Sequence, residues 1–398
     1  MSGLDAGEAA ELVAWRRRLH AMPELSGQEA ETAGEVAAML GAAGADRILA
    51  GLGGHGVAAV YEGAEPGPTA MFRTELDALP IEEISDAPHR SRRPGRAHLC
   101  GHDGHMASLA ALARALGRRP PRRGRAVLLF QPAEEDGSGA AAVIADPRFA
   151  AIAPDYAFAW HNLPGLPLGR IALAEGPVNC ASRGMTITLT GRTAHAATPE
   201  QGVSPMAAVA QLMPALTGLG RGGPMDAGFS LVTVTHAALG APGFGVAPGH
   251  AEIRATLRTL TDAGMAGLCA AAERRVRDAA GAAGLEVAIA YAEVFAHCEN
   301  APAAVARLRA ALDAEGLAHD ARGLPMRASE DFGRFGARAK AAMVFLGAGE
   351  GHPGLHNPDY DFPDALIGLG ARLLLRTLRD LLGESDAVTA AFPRSPRR

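Results

Sequence analysis

The chain has 398 residues, 48% hydrophobic and 20% charged, with 38 basic against 43 acidic side chains and a formal net charge of -5. That length accommodates two domains with separate cores, and a mildly acidic chain with no long basic run argues against nucleic acid as a partner. Lys340, in GARAKAAMVFLG, is the only lysine, which argues against a Walker-type phosphate loop and a pyridoxal-phosphate Schiff base, since both need a lysine in a particular setting.

The first segments, EAAELVAWRRRLH and EAETAGEVAAMLGAAG, read as helices separated by a turn at MPELSG. GLGGHG (51–56) matches G-x-G-x-x-G. A dinucleotide fingerprint follows a strand and opens a helix, whereas here the strand-like VAAVY comes after the glycines, so a tight turn is expected. TAMFRTELDAL continues as a strand, followed by a loop, HLCGHDGHM (98–106) and the helical HMASLAALARALG. RAVLLFQPAEE is a strand running into a glycine-rich turn, and YAFAWHN a short strand carrying a histidine. This alternation is the pattern of an α/β sheet.

The texture changes near residue 183. GMTITLTGRTAHAA, SLVTVTHAALG and HAEIRATLRTL alternate like strands, with helices at SPMAAVAQLMPALTGLG and AGMAGLCAAAERRVRDAAGAAG between them. After EVAIAYAEVFAHCEN the chain returns to helix, strand and helix, the last strand being AAMVFLGAG. The expected architecture is an α/β catalytic domain with a central, mostly parallel sheet and flanking helices, formed by residues 1–182 and 298–398. A smaller α+β lid, residues 183–297, interrupts it with a four-stranded antiparallel sheet and two helices.

The N-terminus lacks a basic stretch leading into an apolar run of the secretory type. No run of about 18 apolar residues suggests a membrane span. Cys100, Cys180, Cys269 and Cys298 are scattered, without a disulfide framework, so a cytoplasmic setting is expected. The closing PRSPRR is a short basic tail expected to fray.

Four segments carry chemistry. HLCGHDGHM gathers three of the 14 histidines beside Cys100 and Asp103. A thiolate and an imidazole two residues apart suit zinc, manganese, cobalt or nickel. The same segment also reads as a polar loop in which Asp103 caps a helix beginning near His105. QPAEED places Glu134 and Glu135 after an apolar strand, where α/β sheets bind ligands; adjacent carboxylates there can divide metal binding from proton transfer, or form a solvated acidic turn. His161 ends a strand, and His352 and His356 lie on HPGLHNPDYDF after the last strand. Taken jointly, the four segments point to one metal centre at the C-terminal edge of the sheet.

These motifs carry a resemblance. RRRLHAMPELSGQEAET, FRTELDALPIEE, HLCGHDGHM, FQPAEEDGSGA, WHNLPGLPLG, TGRTAHAATPEQGVSP, FGVAPGHAEIRATLRT, ASEDF and LHNPDYDF occur in order nearly end to end. The chain resembles the metal-dependent amidohydrolases that include hippurate hydrolases, indole-acetyl-amino-acid hydrolases and aminoacylases. The resemblance implies two divalent ions (zinc, manganese, cobalt or nickel) held by Cys100, His102, Glu135, His161 and His356, one of these bridging them. Glu134 matches the general acid/base, and Asp77 an acidic position beside the site. In the implied mechanism, metals activate water and polarise the scissile carbonyl of an N-acyl amino acid or similar small amide, while Glu134 moves the proton to the leaving amine.

The resemblance further implies a homodimer formed through the lid, with His195 reaching the active site, often across the dimer, to help stabilise the oxyanion. Arg258 is a candidate grip for a substrate carboxylate, with an exposed strand arginine as its alternative. Ser329-Glu330-Asp331 reads as a helix start and is left outside the site, as are His98, Asp103 and His105, which read as supporting or helix-start residues. Gly245 stands where relatives have asparagine, Glu200 where histidine is common, and Glu75 where aspartate is usual, so the substrate can differ while the reaction type holds. The alternatives are a dipeptidase or carboxypeptidase on the same fold, a metal-free hydrolase with Cys100 as nucleophile, and a metal-binding relative without turnover.

Overall fold

The structure is a computed structural model that describes residues 6–385; the PRSPRR tail lies outside them. In chain order, α1 (Ala6–Ala21) and α2 (Ala30–Ala42) lead to β1 (Arg47–Leu52), β2 (Gly56–Glu62) and β3 (Glu65–Glu75). The GLGGHG glycines form the turn of the β1–β2 hairpin, with Gly51, Gly53 and Gly54 at positive φ. Next come α3 (His102–Arg118), β4 (Arg123–Gln131), α4 (Gly139–Ala145), β5 (Tyr156–Pro164), β6 (Ile171–Ala172) and β7 (Gly176–Asn179). The middle of the chain forms β8 (Ala181–Thr190), β9 (Ala194–His195), α5 (Met206–Thr217), β10 (Ser230–Leu239), β11 (Val246–Ala247), β12 (His250–Thr259), α6 (Asp262–Ala282) and β13 (Glu286–Phe295). The chain closes with β14 (Cys298–Asn300), α7 (Pro302–Ala314), β15 (His319–Asp320), β16 (Lys340–Gly349) and α8 (Ala365–Leu382).

Two compact units result: Met1–Val178 with Glu299–Leu324 and Asp331–Arg398, and Asn179–Cys298 with Pro325–Glu330. The first is built on an eight-stranded sheet of order β1-β2-β4-β3-β5-β16-β6-β15. Its central strands β4, β3, β5 and β16 run parallel, and antiparallel β2 and β1 extend one side. Central parallel strands are covered on both faces and therefore read as continuous apolar runs; AVLLF of β4 and AAMVFL of β16 are buried throughout. In α8, Leu366, Ile367, Gly370, Leu373, Leu374, Thr377, Leu378 and Leu381 form one buried stripe at helical spacing.

The parallel direction of β3, β4, β5 and β16 sends all four C-terminal ends to one edge. The register sets Glu75 beside Gln131 and His161 beside Phe345. Loops leaving that edge have no ladder to satisfy and are free to present side chains, which is why α/β sheets bind ligands there.

The second unit has a four-stranded antiparallel sheet, β10-β12-β8-β13, with α5 and α6. Met185, Ile187 and Leu189 of β8 and Ile253, Ala255 and Leu257 of β12 alternate inward with period two to form its core. Beyond the expected 183–297, this unit takes in Asn179–Ser182, Cys298 and Pro325–Glu330. The backbone N–H of Cys180 donates to Ala328 O at 3.0 Å, and Arg258 Nη1 donates to Arg327 O and Ser329 Oγ at 3.0 and 2.8 Å. Such bonds are formed in space and leave no mark in local sequence. Among the described residues no helix is long and apolar enough to cross a membrane.

Candidate metal centre

Each chemistry-bearing segment leaves the same sheet edge of the first unit. β3 ends at Glu75 and leads to Asp77; β4 ends at Gln131 and leads through Pro132 and Ala133 to Glu134 and Glu135. β5 carries His161 and Asn162 near its end, and the loop after β16 carries His352 and His356. α3 opens at His102, immediately after Cys100 and Gly101, so the positive end of its macrodipole faces the same place. Two non-glycine residues there, Ala133 and His356, have φ of 50° and 66°. Left-handed backbone is costly for such residues and persists where the surroundings enforce it, often at functional sites. Here Ala133 N–H donates to Glu29 Oε1 at 2.8 Å, and His356 N–H to Leu99 O at 2.9 Å.

The donor atoms converge. Cys100, His102 and His161 offer ligand atoms within 4.8 Å of one another, as do Cys100, Glu135 and His356, and His102, Glu134 and Glu135. Cys100 Sγ is 3.4 Å from His161 Nε2. His356 Nε2 is 3.5 Å from Glu135 Oε2, and His102 Nε2 3.8 Å from Glu135 Oε1 and 4.0 Å from Glu134 Oε2. Donors bound to one zinc-like ion at about 2.0–2.3 Å stand roughly 3 to 4.5 Å apart, so the spacings fit divalent ions. The first two triads share Cys100, which suits a pair of ions better than one.

Hydrogen bonds to the far side of each ring set the tautomers. His102 Nδ1–H donates to Asp77 O at 2.9 Å, and His161 Nδ1–H to Asn162 O at 2.7 Å. Both Nε2 lone pairs therefore face the cluster, as ligation requires. His102 Nε2 is buried and has no hydrogen-bond partner; a buried polar atom left in that state is costly unless a ligand completes it. Glu75, His102 and His105 also lie close enough to hold an ion, but His105 is committed to hydrogen bonds with Glu75 and Asn162.

The electrostatics ask for cations. Burial pulls His102 down, yet its contact with Asp77 and the charges of Glu75 and Glu135 push it up to about 10. The carboxylates thus favour a positive charge at this position. Burial, with Glu135 and Glu134, holds the Cys100 thiol well above its ordinary range. A thiolate there needs metal to stabilise it. Burial and the neighbouring imidazoles of His105 and His102 keep His161 neutral, its ligating form.

Asp103 does not cap a helix starting at His105. The helix starts at His102 after Gly101, and the Asp103 carboxylate is buried with Arg16 Nε at 2.6 Å and His20 Nδ1 at 2.9 Å. His20 also faces Glu83, with Nε2 and Oε1 3.4 Å apart. Although burial opposes it, Asp103 and Glu83 raise His20 from 6.5 to about 9. The folded chain therefore holds a proton that the unfolded chain releases above about pH 6.5, contributing roughly 3 kcal/mol below that pH. This contribution is lost as pH rises toward 9. The urea midpoint of the metal-free chain is expected to fall between pH 7 and 9, and His20→Gln to flatten that slope; an unchanged slope in the variant would assign the proton elsewhere.

The two glycines of CGHDGH have a steric purpose. Gly101 has φ of 90°, and a Cβ there would lie 2.5 Å from Asn162 Nδ2; at Gly104 a Cβ would lie 2.3 Å from the Phe362 ring. Supporting residues surround the cluster. Asp77 Oδ2 accepts from Ser26 Oγ at 2.7 Å and from Glu135 N–H at 3.0 Å, so this carboxylate supports the backbone of Glu135 while its carbonyl orients His102. Asp331, read from sequence as a helix-start residue, does open a short 3₁₀ helix, Asp331–Ala337, but its side chain is buried. It accepts from Arg73 at 2.5 Å, from Gln131 and from Ala140 N–H, and its own N–H donates to Glu134 Oε1 at 3.4 Å. Ser26, Glu29, Asn162 and Asp331 all fall inside the quoted motifs, which was the only sign of them.

The structure places His195 and Arg258 in the second unit. His195 is exposed on β9, paired with Val246 of β11, and its Nδ1 accepts from Ala197 N–H at 3.0 Å.

A family model described as peptidase family M20/M25/M40 matches residues 71–380. The chain belongs to this family. Among its M20 relatives, the hippurate hydrolase of Campylobacter jejuni is 31% identical over 366 residues, 89% of this chain and 92% of that protein. The N-acetyldiaminopimelate deacetylase of Anoxybacillus flavithermus is 30% identical over 364 residues, 91% of this chain and 95% of that one. The crystal structure of the Bacillus subtilis YXEP protein, a dinuclear metal binding peptidase from the M20 family, is 26% identical with a TM-score of 0.79, covering 95% of this chain and 99% of that one. This M20 chain is a metal-dependent amide hydrolase.

Proposed function

We propose that the enzyme cleaves the amide bond of N-acyl amino acids or similar small amides at two divalent ions. Cys100, His102, Glu135, His161 and His356 would hold the ions. The observation that carries the reading is the place of Glu134. It neighbours Glu135 on a backbone kinked at Ala133, and its Oε2 faces His102 Nε2 across 4.0 Å. Bound ions supply Lewis acidity and lower the pKa of water. Glu134 takes the proton of the attacking water and returns it to the leaving amine. Asp331 N–H steadies its other oxygen.

The substrate class draws on relatives named for hydrolysing hippurate and for deacetylating N-acetyldiaminopimelate, both N-acyl amino acids. The ions are zinc, manganese, cobalt or nickel, and the setting is the cytoplasm. In the second unit, Arg258 has donors beyond the Nη1 bound to Arg327 and Ser329 with which to grip a carboxylate, and His195 contributes to oxyanion stabilisation. The partner is a second copy of the chain, joined through the second unit, where Phe244 is fully exposed and the edge strand β10 shows a run of exposed residues. A panel of N-acetyl, N-benzoyl and indole-acetyl amino acids set against dipeptides tests the substrate class. Turnover of the acyl amino acids is expected, and turnover of dipeptides alone would replace this reading with a dipeptidase. Sedimentation of the same preparation should show a dimer; a monomer would remove both the pairing and any role of His195 in trans.

A further inference from the structure

We propose that Asn162 is a positioning residue of the metal centre: its buried side chain fixes the Cys100 backbone, and its backbone carbonyl orients the His161 ring. The inference rests on the ligand reading given above. Asn162 is fully buried, and every polar group it has is engaged. Its Nδ2 donates to Cys100 O at 2.7 Å and to His105 Nε2 at 3.2 Å, and its Oδ1 accepts from Tyr360 Oη at 2.7 Å. Its backbone N–H donates to His105 Nε2 at 3.2 Å, and its carbonyl accepts from His161 Nδ1 at 2.7 Å.

The partners are themselves fixed. His105 Nδ1–H donates to the Glu75 carboxylate at 2.8 Å, which leaves Nε2 as the acceptor that Asn162 needs. Glu75 in turn is paired with Arg73. Thus Glu75, the departure from the usual aspartate, acts on the centre indirectly, through the tautomer of His105 and then Asn162. The amide orientation has one consistent solution: both Nδ2 hydrogens meet acceptors, and Oδ1 meets the tyrosine hydroxyl. Gly101 makes the arrangement sterically feasible, because a Cβ at that position would lie 2.5 Å from Nδ2 and 2.8 Å from Tyr360 Oη. The segment Cys100-Gly101-His102 therefore lies against Asn162 with nothing between, and displacing the amide displaces Sγ.

The test is Asn162→Asp, which keeps the shape and turns a double donor into an acceptor facing two acceptors. With Co²⁺ as probe, the affinity should drop about 10- to 100-fold, the range for outer partners of metal ligands, and the thiolate-to-cobalt absorption should shift or weaken. Tyr360→Phe, which retains the ring and removes only one bond to Asn162, should show a smaller loss with the same spectral direction. Unchanged cobalt affinity and spectrum in folded Asn162→Asp, or in Tyr360→Phe should Asn162→Asp fail to fold, would overturn the inference and leave Asn162 a packing residue. Parent chain and Cys100→Ser separate this failure from that of the ligand reading. A cobalt band in the parent that Cys100→Ser abolishes upholds Cys100 as a ligand; no band in the parent overturns both.

Discussion

Glu134→Gln is expected to bind its metal ions as the parent chain does and to turn over N-acyl amino acids about 10²- to 10⁴-fold more slowly, the range that a positioned acid/base contributes. The substitution preserves length and shape while removing the ability to take a proton. Its Oε1 still accepts from Asp331 N–H, so the loop after β4 should hold its course. Glu135, the neighbouring carboxylate, is turned toward His356 and His102 and cannot take over. Metal content by elemental analysis and kcat on one substrate suffice to check this. Near-parent kcat with full metal would mean that the base lies elsewhere, whereas loss of metal would mean that Glu134 is a ligand.

The second large effect is expected from metal removal. Exhaustive dialysis against a chelator should abolish turnover, and adding back zinc, manganese, cobalt or nickel should restore it, with the titration ending at two ions per chain. The physical ground is the state of Cys100. Without cations, burial and the carboxylates of Glu135 and Glu134 hold its thiol well above the ordinary range, so at neutral pH it is a poor nucleophile. A metal-free hydrolase using Cys100 would need the opposite shift. Because the surrounding carboxylates push His102 up to about 10 in the metal-free chain, metal binding there must displace a proton. Affinity should therefore strengthen as pH rises from 6 to 8, which calorimetry in buffers of different ionisation enthalpy reads directly. Full activity in the metal-free chain would return the cysteine mechanism to the front.

The α/β alternation, the change of texture near residue 183 and the long helices were visible because period two and period 3.6 are local properties of the chain. Boundaries that depend on contacts between distant segments were not. Pro325–Glu330 joins the second unit through Cys180 and Arg258, and no local pattern encodes that. Asp103 looked like a cap because it sits in a helical first turn; it is instead buried in an ion pair with Arg16, 87 positions earlier in the chain.

The sequence by itself determined which residue types could meet at the site. Cys100, His102, Glu134, Glu135, His161 and His356 follow strands or open a helix, and parallel strands must deliver such residues to one edge. The family resemblance named the same six. Only the tertiary structure decided how they are held. Asp77 orients His102 through its carbonyl and supports the Glu135 backbone through its carboxylate, Asp331 N–H meets Glu134, and Asn162 bonds both Cys100 and His161. A side chain's chemistry is written in its identity, whereas its orientation depends on hydrogen bonds that are mostly made to residues tens or hundreds of positions away. Those partners are chosen by the fold.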